Sequence, residues 1–436
     1  MTDPATTDLA GKDRGRTTVW GSPEQARRFR ARRRADQRLR LFGLGAVALS
    51  LALILILIGS LGYSGHTAFT QTHLVLDVTI DPAKVRADEP DTGNYRALIR
   101  GALWSLLPKV RNSADRNDLA KLASQGAPYI LRDRVVADPS LIGQTIKIAV
   151  PVSDPYDQLH KGVIPRTGPE EERRLKDKQI AWFDDLVVQG QIESRLNWGL
   201  LFNSDSRFPE LAGLAGAISG SFYALLVCFA LSFPIGIASA VYLEEFAPRN
   251  RWTSLIEVNI NNLAAVPSVV FGLLGLAVFI QFFGIPRSTP LVGGMTLALM
   301  TLPTIIIATR LALAAVPPSI REAALGLGAS GHQVVLHHVL PLAMPGIMTG
   351  TIIGMARALG ETAPLLLIGM NAFIISTSGG ILEPATALPT QIFIWADSPE
   401  RGFAARTAAG ILVLIAFLVA MNLSAVVLRR KFERRW

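Results

Sequence analysis

Three charged side chains stand where charge is costly. Arg357 and Glu361 lie four residues apart in MARALGETAPLLLIG, and Arg310 sits near the end of LMTLPTIIIATRLAL. A charge at the centre of a bilayer-spanning helix costs about 2.5–3.5 kcal/mol on insertion scales, so such residues are expected to be paired or used. At i and i+4, Arg357 and Glu361 share a helix face and can pair, but arginine ahead of glutamate is the weaker order for helix stability. Stabilising the helix is therefore a poor reason for the pair. A guanidinium grips phosphate or another oxyanion bidentately, and a nearby carboxylate keeps that grip loose enough for release. The chemistry indicated is oxyanion passage. Arg310 reads equally well as an anchor that snorkels to the headgroups.

Just upstream of this pair, residues 317–345 form a soluble-looking island, PPSIREAALGLGASGHQVVLHHVLPLAMP, between apolar runs. Pro317 and Pro318 stop the preceding helix, and Ser319 with Glu322 has the S-x-x-E spacing of a capping box. Gly326 and Gly328 break the chain, Ser330 with Gln333 makes a second box, and Pro341 is expected to end that helix before Pro345 opens the next span. Ala323, Ala324, Leu325, Val334, Val335, Leu336, Val339 and Leu340 give the island more apolar surface than a connecting loop needs, so a docking partner is expected. For Glu322, capping alone is the competing role. Gly326, Gly328 and Gly331 spell G-x-G-x-x-G, but no strand precedes them and no acidic residue follows at the dinucleotide spacing.

The elements that hold these residues are membrane spans. Of 436 residues, 50% are hydrophobic and 18% charged, too apolar for a soluble chain unless the apolar residues are blocked into spans. Six windows are long enough to cross about 30 Å of hydrocarbon: Leu41 to Leu61, then runs within Leu211 to Leu243, Asn259 to Gly284, Leu291 to Leu313, the run opened by Pro345, and Thr407 to Leu428. The net charge of +9 is concentrated beside these runs, as the positive-inside rule requires, rather than spread for nucleic acid. Arg27, Arg28, Arg30, Arg32, Arg33, Arg34, Arg38 and Arg40 precede the first span, and Arg429, Arg430, Lys431, Arg434 and Arg435 follow the last. Both termini are expected in the cytoplasm with the island. The first span is too long for a cleaved signal peptide and is read as an anchor.

Residues 62–208 change to a mixed polar composition and are expected outside the membrane. Thr72 to Ile80 and Thr145 to Val152 alternate as strands do, while Tyr95 to Leu107 and Pro169 to Leu196 read as helical. An α/β domain is expected, without a catalytic constellation: His66, His73 and His160 are scattered, and Asp184 with Asp185 reads as a solvated helix face. Gly216 and Gly220 offer a small packing face, and Asn261, Asn262, Pro267 and Ser268 are expected to face other helices. The lone cysteine, Cys228, is read as a core residue.

Two resemblances follow. Glu322-Ala323-Ala324, then Gly328, then Leu340-Pro341 resembles the EAA loop of ABC-importer permeases, with His338 where that motif has an aliphatic residue. The resemblance implies that Glu322, Ala323, Ala324, Gly328, Leu340 and Pro341 belong to a coupling helix seated on an ATPase subunit. The runs around Arg357, with NNLAAVPSVVFGLLGLA, LMTLPTIIIATRLAL and ALPTQIFIWADSPERGF, resemble the phosphate-specific permeases of the PstA type over about half the chain, from Trp198 onward.

This second resemblance implicates Arg310, Arg357 and Glu361 in phosphate passage. It also implies an all-α polytopic protein of the type I ABC importer permease fold, with six transmembrane helices. The inserted α/β domain departs from shorter relatives. The expected organisation is a basic cytoplasmic segment 1–40, a transmembrane helix 41–61, an extracytoplasmic domain 62–208, a permease core 209–428 containing the coupling loop 317–345, and a basic tail 429–436. The chain carries no Walker A glycine-lysine motif, so it binds no cofactor itself and ATP belongs on a partner subunit. Implied partners are a second permease subunit (PstC type), two ATPase subunits (PstB type) and a periplasmic phosphate-binding protein (PstS type), in a bacterial inner membrane. A permease for sulfate or molybdate would share the same features. A membrane-anchored receptor would explain the outer domain but not the buried charge pair.

Overall fold

The computed structural model describes residues 23–376 and 379–432. Residues 1–22 of the basic segment, the side chain of Arg28, and Arg434 and Arg435 lie outside the described residues. The chain divides into two units, Met1–Ser60 and Leu61–Trp436. In the first, the described residues belong to one helix, α1 (Pro23–Gly65), whose charge-free run is exposed over residues 41–60.

In the second unit, a three-stranded antiparallel sheet of order β2-β1-β3 is built from β1 (Thr70–Thr79), β2 (Thr145–Pro151) and β3 (Ile192–Leu196). His73 pairs with Pro151 and Thr79 with Thr145 on one side, and Thr70 with Leu196 on the other. The alternation of THLVLDVTI works as expected, because Leu74, Leu76, Val78 and Ile80 are fully buried. They meet the inner faces of α2 (Tyr95–Leu106), α4 (Ala127–Ala137), α5 (Asp154–His160) and α6 (Asp177–Val188), with α3 (Ser113–Ala120) closing the layer. The stretch expected to be helical over Pro169 to Leu196 is helical only in α6. Gly190, at φ 72°, turns the chain, and IESRL then pairs with the open edge of β1 because those backbone groups need partners.

A one-turn helix, α7 (Gly199–Phe202), leads to α8 (Ala215–Val241), which runs on through a π-helical turn to Phe246. Then come α9 (Arg251–Ala264), α10 (Ser268–Leu274) with a π extension to Phe282, and α11 (Pro290–Ala314). The island supplies α12 (Pro318–Gly326) and α13 (Gly331–Gln333), after which α14 (Leu340–Gly360), α15 (Ala363–Leu367), α16 (Leu388–Ala396) and α17 (Gly402–Phe432) follow. Among the described residues, five helices are long and apolar enough to cross a membrane, or six if α9 and the α10 segment count as one bent span.

The third span is bent rather than straight, and two further expectations fail. The run Asn259 to Gly284 is not one helix: α9 and α10 meet at 105°, because Pro267 lacks the N–H that would continue the helix and holds Val266 out of the helical region. No residue of α9 is buried, so Asn261 and Asn262 are exposed in this chain rather than turned toward its other helices. Nor does Pro341 end a helix. Gly331 to Gly360 is continuous, with a π turn over Val334–Val339 directly before Pro341. The wider turn loosens the regular i−4 ladder where the ring of Pro341 would otherwise collide.

Glycines set how the core packs. Gly346, Gly350 and Gly354 form a stripe on α14: a Cβ on Gly346 would lie 2.7 Å from Ala312 Cβ, one on Gly354 3.1 Å from Thr301, and one on Gly350 would collide with Ala308. These contacts run in opposite senses, so α14 and α11 are antiparallel and close. On the other side, Gly294 fits against Ala224 and Val227, and Gly236 against Ile305, which makes α8 and α11 parallel. Gly220 is pressed against the Thr386 carbonyl of the 376–386 segment. Cys228 is buried and touches the Thr301 hydroxyl at 3.2 Å, as a core residue should.

The sheet domain is bolted to the core at one end. Glu210, just before α8, accepts the Ser124 hydroxyl at 2.9 Å, and its carbonyl accepts Gln71 Nε2 at 2.5 Å. Arg406 of α17 is buried and donates to the Ala212 carbonyl at 2.5 Å.

Candidate functional site

The island is a short helix, a glycine turn and the start of a long helix. Pro318 occupies the first helical position of α12, with Pro317 as its N-cap, so Ser319 lies inside the helix and makes no cap. The Ser319–Glu322 box expected from spacing is absent because the prolines have already fixed the start. The other end of α12 closes as a Schellman motif: the Gly328 N–H reaches the Leu325 carbonyl at 2.9 Å, the Ala329 N–H reaches the Ala324 carbonyl at 3.1 Å, and Gly328 sits at φ 88°. At the second start, Gln333 Oε1 accepts from both the Ser330 N–H and hydroxyl at 2.9 Å.

One face of the island is anchored, with Ala324, Val334 and Val339 packing on Leu313, Ala343, Ile347 and the end of α8. The opposite face is open. Glu322 and Ala323 are exposed, and Leu325, Leu327 and Leu336 are 54%, 91% and 52% exposed. Leu340 and Pro341 are half-buried where the island joins the long helix, and His338 is exposed beside them.

Arg310 lies four residues before the end of α11, at the island's level. It donates to Glu244 at 3.1 Å and to Glu257 of α9 at 2.9 Å. Arg321 of α12 pairs with Glu245 at 2.7 Å and also donates to the Leu313 and Val316 carbonyls at 2.9 and 2.7 Å. Four separate elements are thus held by two arginines and three glutamates.

Arg357 and Glu361 sit elsewhere. The Ala308–Gly350 and Ala312–Gly346 contacts place Arg310 level with Met348, so Arg357 is nine residues, about 14 Å, farther along the pair of helices. The Thr301–Gly354 contact puts Arg357 well inside the length of α11, about 12–15 Å from its Pro290 end. There α14 stops: Gly360 is its last residue and Glu361 is extended, with φ −78° and ψ 118°. Arg357 Nε lies 3.4 Å from Glu361 Oε1, and the two side chains are 49% and 20% exposed. The pair therefore forms, but at a helix break, where Arg357 also faces the negative end of the α14 dipole. The structure brings Arg357 and Glu361 together and leaves Arg310 apart.

Residues 232–436 match the family described as binding-protein-dependent transport system inner membrane component. Residues 26–170 match a domain of unknown function, DUF3333. The phosphate transport system permease protein PstA of Yersinia pestis is 33% identical over 234 residues, covering 53% of this chain and 78% of that protein. PstA of Haemophilus influenzae is 31% identical over 225 residues, covering 51% and 78%. The chain belongs to the PstA-type family of ABC-transporter permeases. The probable ABC transporter permease YqgI of Bacillus subtilis is 29% identical over 225 residues, 49% of this chain and 76% of that protein. A solved chain of the inward-facing MetNI methionine ABC transporter is 18% identical, with a TM-score of 0.40, over 50% of this chain and 97% of that one.

As a PstA-type permease the chain is a non-enzymatic, multi-pass subunit of the inner membrane, and it has the type I importer permease fold with an added α/β domain. Among the described residues, no three His, Cys, Asp or Glu side chains are grouped to hold a metal. Sequence reasoning missed Glu244, Glu245, Glu257 and Arg321. The signal available was that three acids and an arginine stood at the same ends of the spans as Arg310.

Proposed function

We propose that this permease subunit imports inorganic phosphate by alternating access, with ATP hydrolysed on two PstB-type subunits. A PstC-type permease would complete the path and a PstS-type periplasmic protein would deliver the anion. The observation that carries this reading is the half-exposed Arg357 beside Glu361 at a helix break deep within the bundle. A guanidinium at that depth cannot face lipid at acceptable cost, so its open side belongs to a path shared with the second permease. Glu361 competes with phosphate for Arg357 and keeps binding reversible. Both basic termini and the island lie on the cytoplasmic side, residues 62–208 lie outside, and residues 209–428 form the core. Glu322, Ala323, Ala324, Gly328, Leu340 and Pro341 form or frame the ATPase-docking surface. Arg310, already engaged by two carboxylates, ties α9 and the end of α8 to α11 at the inner rim of that path.

The test is phosphate uptake by the reconstituted four-component transporter. Arg357→Ala should abolish uptake with assembly intact, and Arg357→Lys, which keeps charge but loses the fork, should recover only part of it. Uptake unchanged in a verified Arg357→Ala complex removes this residue from the mechanism. Sulfate or molybdate competing as well as phosphate replaces the substrate.

A further inference from the structure

A cleft of about 560 Å³ opens between the α/β domain and the segment that leads into α8. Arg96 and Arg100, one turn apart on α2, line it from the domain, and Arg207 lines it from the segment. Among the described residues none of these three is ion-paired, and Arg207 only overlies the Phe373 ring at 5.5 Å. The carboxylates in the same wall are already engaged. Arg174 holds Glu400 at 2.7 Å and Asp154 at 3.6 Å, while Glu210 accepts from Ser124 at 2.9 Å. Burial pushes the carboxyls of Asp154 and Glu210 up. Lys121, also in the lining, is paired with Asp118 at 2.9 Å, so the unpaired charge facing the hollow is cationic and carried by Arg96, Arg100 and Arg207.

Three guanidiniums on one hollow repel one another until an anion joins them. Their forks match phosphate oxygens bidentately. The volume lies within the range of about 300–1,000 Å³ typical of small-molecule sites and exceeds what a bare oxyanion fills. Ile99, Pro128 and Phe208 add an apolar wall for an organic group.

We propose that this cleft binds a phosphomonoester, its phosphate held by Arg96, Arg100 and Arg207 and its organic part laid on the apolar wall. The ligand bridges the α/β domain to residues 207–210 and so fixes that domain against the start of α8. The site is independent of Arg357, which lies on a different element.

The experiment is calorimetric titration of the full-length protein in lipid nanodiscs at low ionic strength, with a nucleoside monophosphate, glycerol 3-phosphate and inorganic phosphate as probes. Saturable binding of at least one phosphomonoester is expected, tighter than inorganic phosphate. Arg100→Gln and Arg96→Gln should each weaken it at least about tenfold, the scale of one charge-assisted hydrogen bond. Arg100→Lys should weaken it less, and Arg357→Ala should leave it unchanged. All the site arginines tested are exposed, and melting curves verify that each variant is folded. No saturable binding overturns the proposal, as does loss of binding in Arg357→Ala. Inorganic phosphate binding equally well in Arg357→Ala, where the proposed transport site is removed, reduces the cleft to an oxyanion site and also overturns it. If no small anion binds while the arginine variants lose a phosphate-binding protein partner, the cleft is a protein-docking surface instead.

Discussion

Gly328 offers the cleanest test of the island, because its substitution strains the backbone and touches nothing. It sits at φ 88°, and no atom lies within 4 Å of a Cβ built there. An L side chain in this left-handed region costs about 1–2 kcal/mol, with a β-branched one at the upper end. Gly328→Val therefore opposes the Schellman turn by about that amount, enough to change the population of the docked loop geometry by roughly 5–30-fold. The core beneath is unaffected, since Ala324, Val334 and Val339 keep their partners. Gly326→Ala is the matched control: it too meets open space, but its φ lies outside the left-handed region, so the change should stabilise α12 by about 0.5–1 kcal/mol. Both variants would be reconstituted with the ATPase subunits, and ATP turnover measured per phosphate moved. Gly328→Val should lose ATPase co-purification or spend more ATP per phosphate, while Gly326→Ala should match the parent. Normal coupling in Gly328→Val, or the same defect in both, would refute the docking argument.

Gly350→Leu forces a side chain into Ala308 where α11 and α14 are closest, so it should cost about 1–3 kcal/mol and lower the melting temperature of the purified subunit. Ala308→Gly in the same chain should restore part of the loss, and no restoration would mean the clash is elsewhere. Arg310→Gln frees Glu244 and Glu257 to face one another and should cost about 1 kcal/mol at this part-exposed site. Its transport phenotype should be slower turnover with an unchanged KM for phosphate, and a raised KM at unchanged turnover would return Arg310 to substrate binding. Burial raises the Glu210 carboxyl above its ordinary value of 4.5, against hydrogen bonds and the attraction of Arg406, with Asp154 adding to the rise. The folded state then holds that proton more tightly than the unfolded one, so this contribution to stability is complete below pH 4.5 and is lost as pH rises through the folded value. Glu210→Gln should gain stability relative to the parent as pH rises above 4.5 in calorimetric melts, and a pH-independent difference would contradict the sign.

Much of the membrane architecture could be read from the chain because apolar runs free of charge have few other places to go. The island was legible for a related reason: Gly328 and the Ser330–Gln333 pair are local features, and local chemistry acts as spacing says. Where a neighbouring residue overrode a motif, reading by spacing failed. Ser319 lost its cap to Pro318, and Pro341 was tolerated because a π turn precedes it. The bend in the third span was missed because hydropathy averages across Pro267 and cannot register it. β3 was missed because IESRL is short and carries two charges in five residues, and only the open edge of β1 gives it a reason to extend. The ion lattice joins residues 66, 53 and 76 positions apart, and pairing at such range is set by packing rather than spacing.

The long helix decides how the island and the charge pair can communicate. From Gly331 to Gly360 it is continuous, about 45 Å, and the charge pair lies at its far end. A hinge between the two would absorb movement, and the departures from regular helix, the π turn at Val334–Val339 and Pro345 inside α14, both lie within the island's residues 317–345. Beyond that turn the glycine stripe presents a smooth face to Ala308 and Ala312, and a face without interlocking side chains favours sliding over tilting. If the island couples to an ATPase as proposed, a shift imposed on it is expected to reach Arg357 as shear of α14 along α11. The lattice around Arg310 joins α9 and the end of α8 to α11, and Arg321 ties α12 to the same frame, so such a shift has to carry or break these contacts. The two arginines thus have different places: Arg357 at the far end of the helix that continues from the island, Arg310 within the ion lattice on α11.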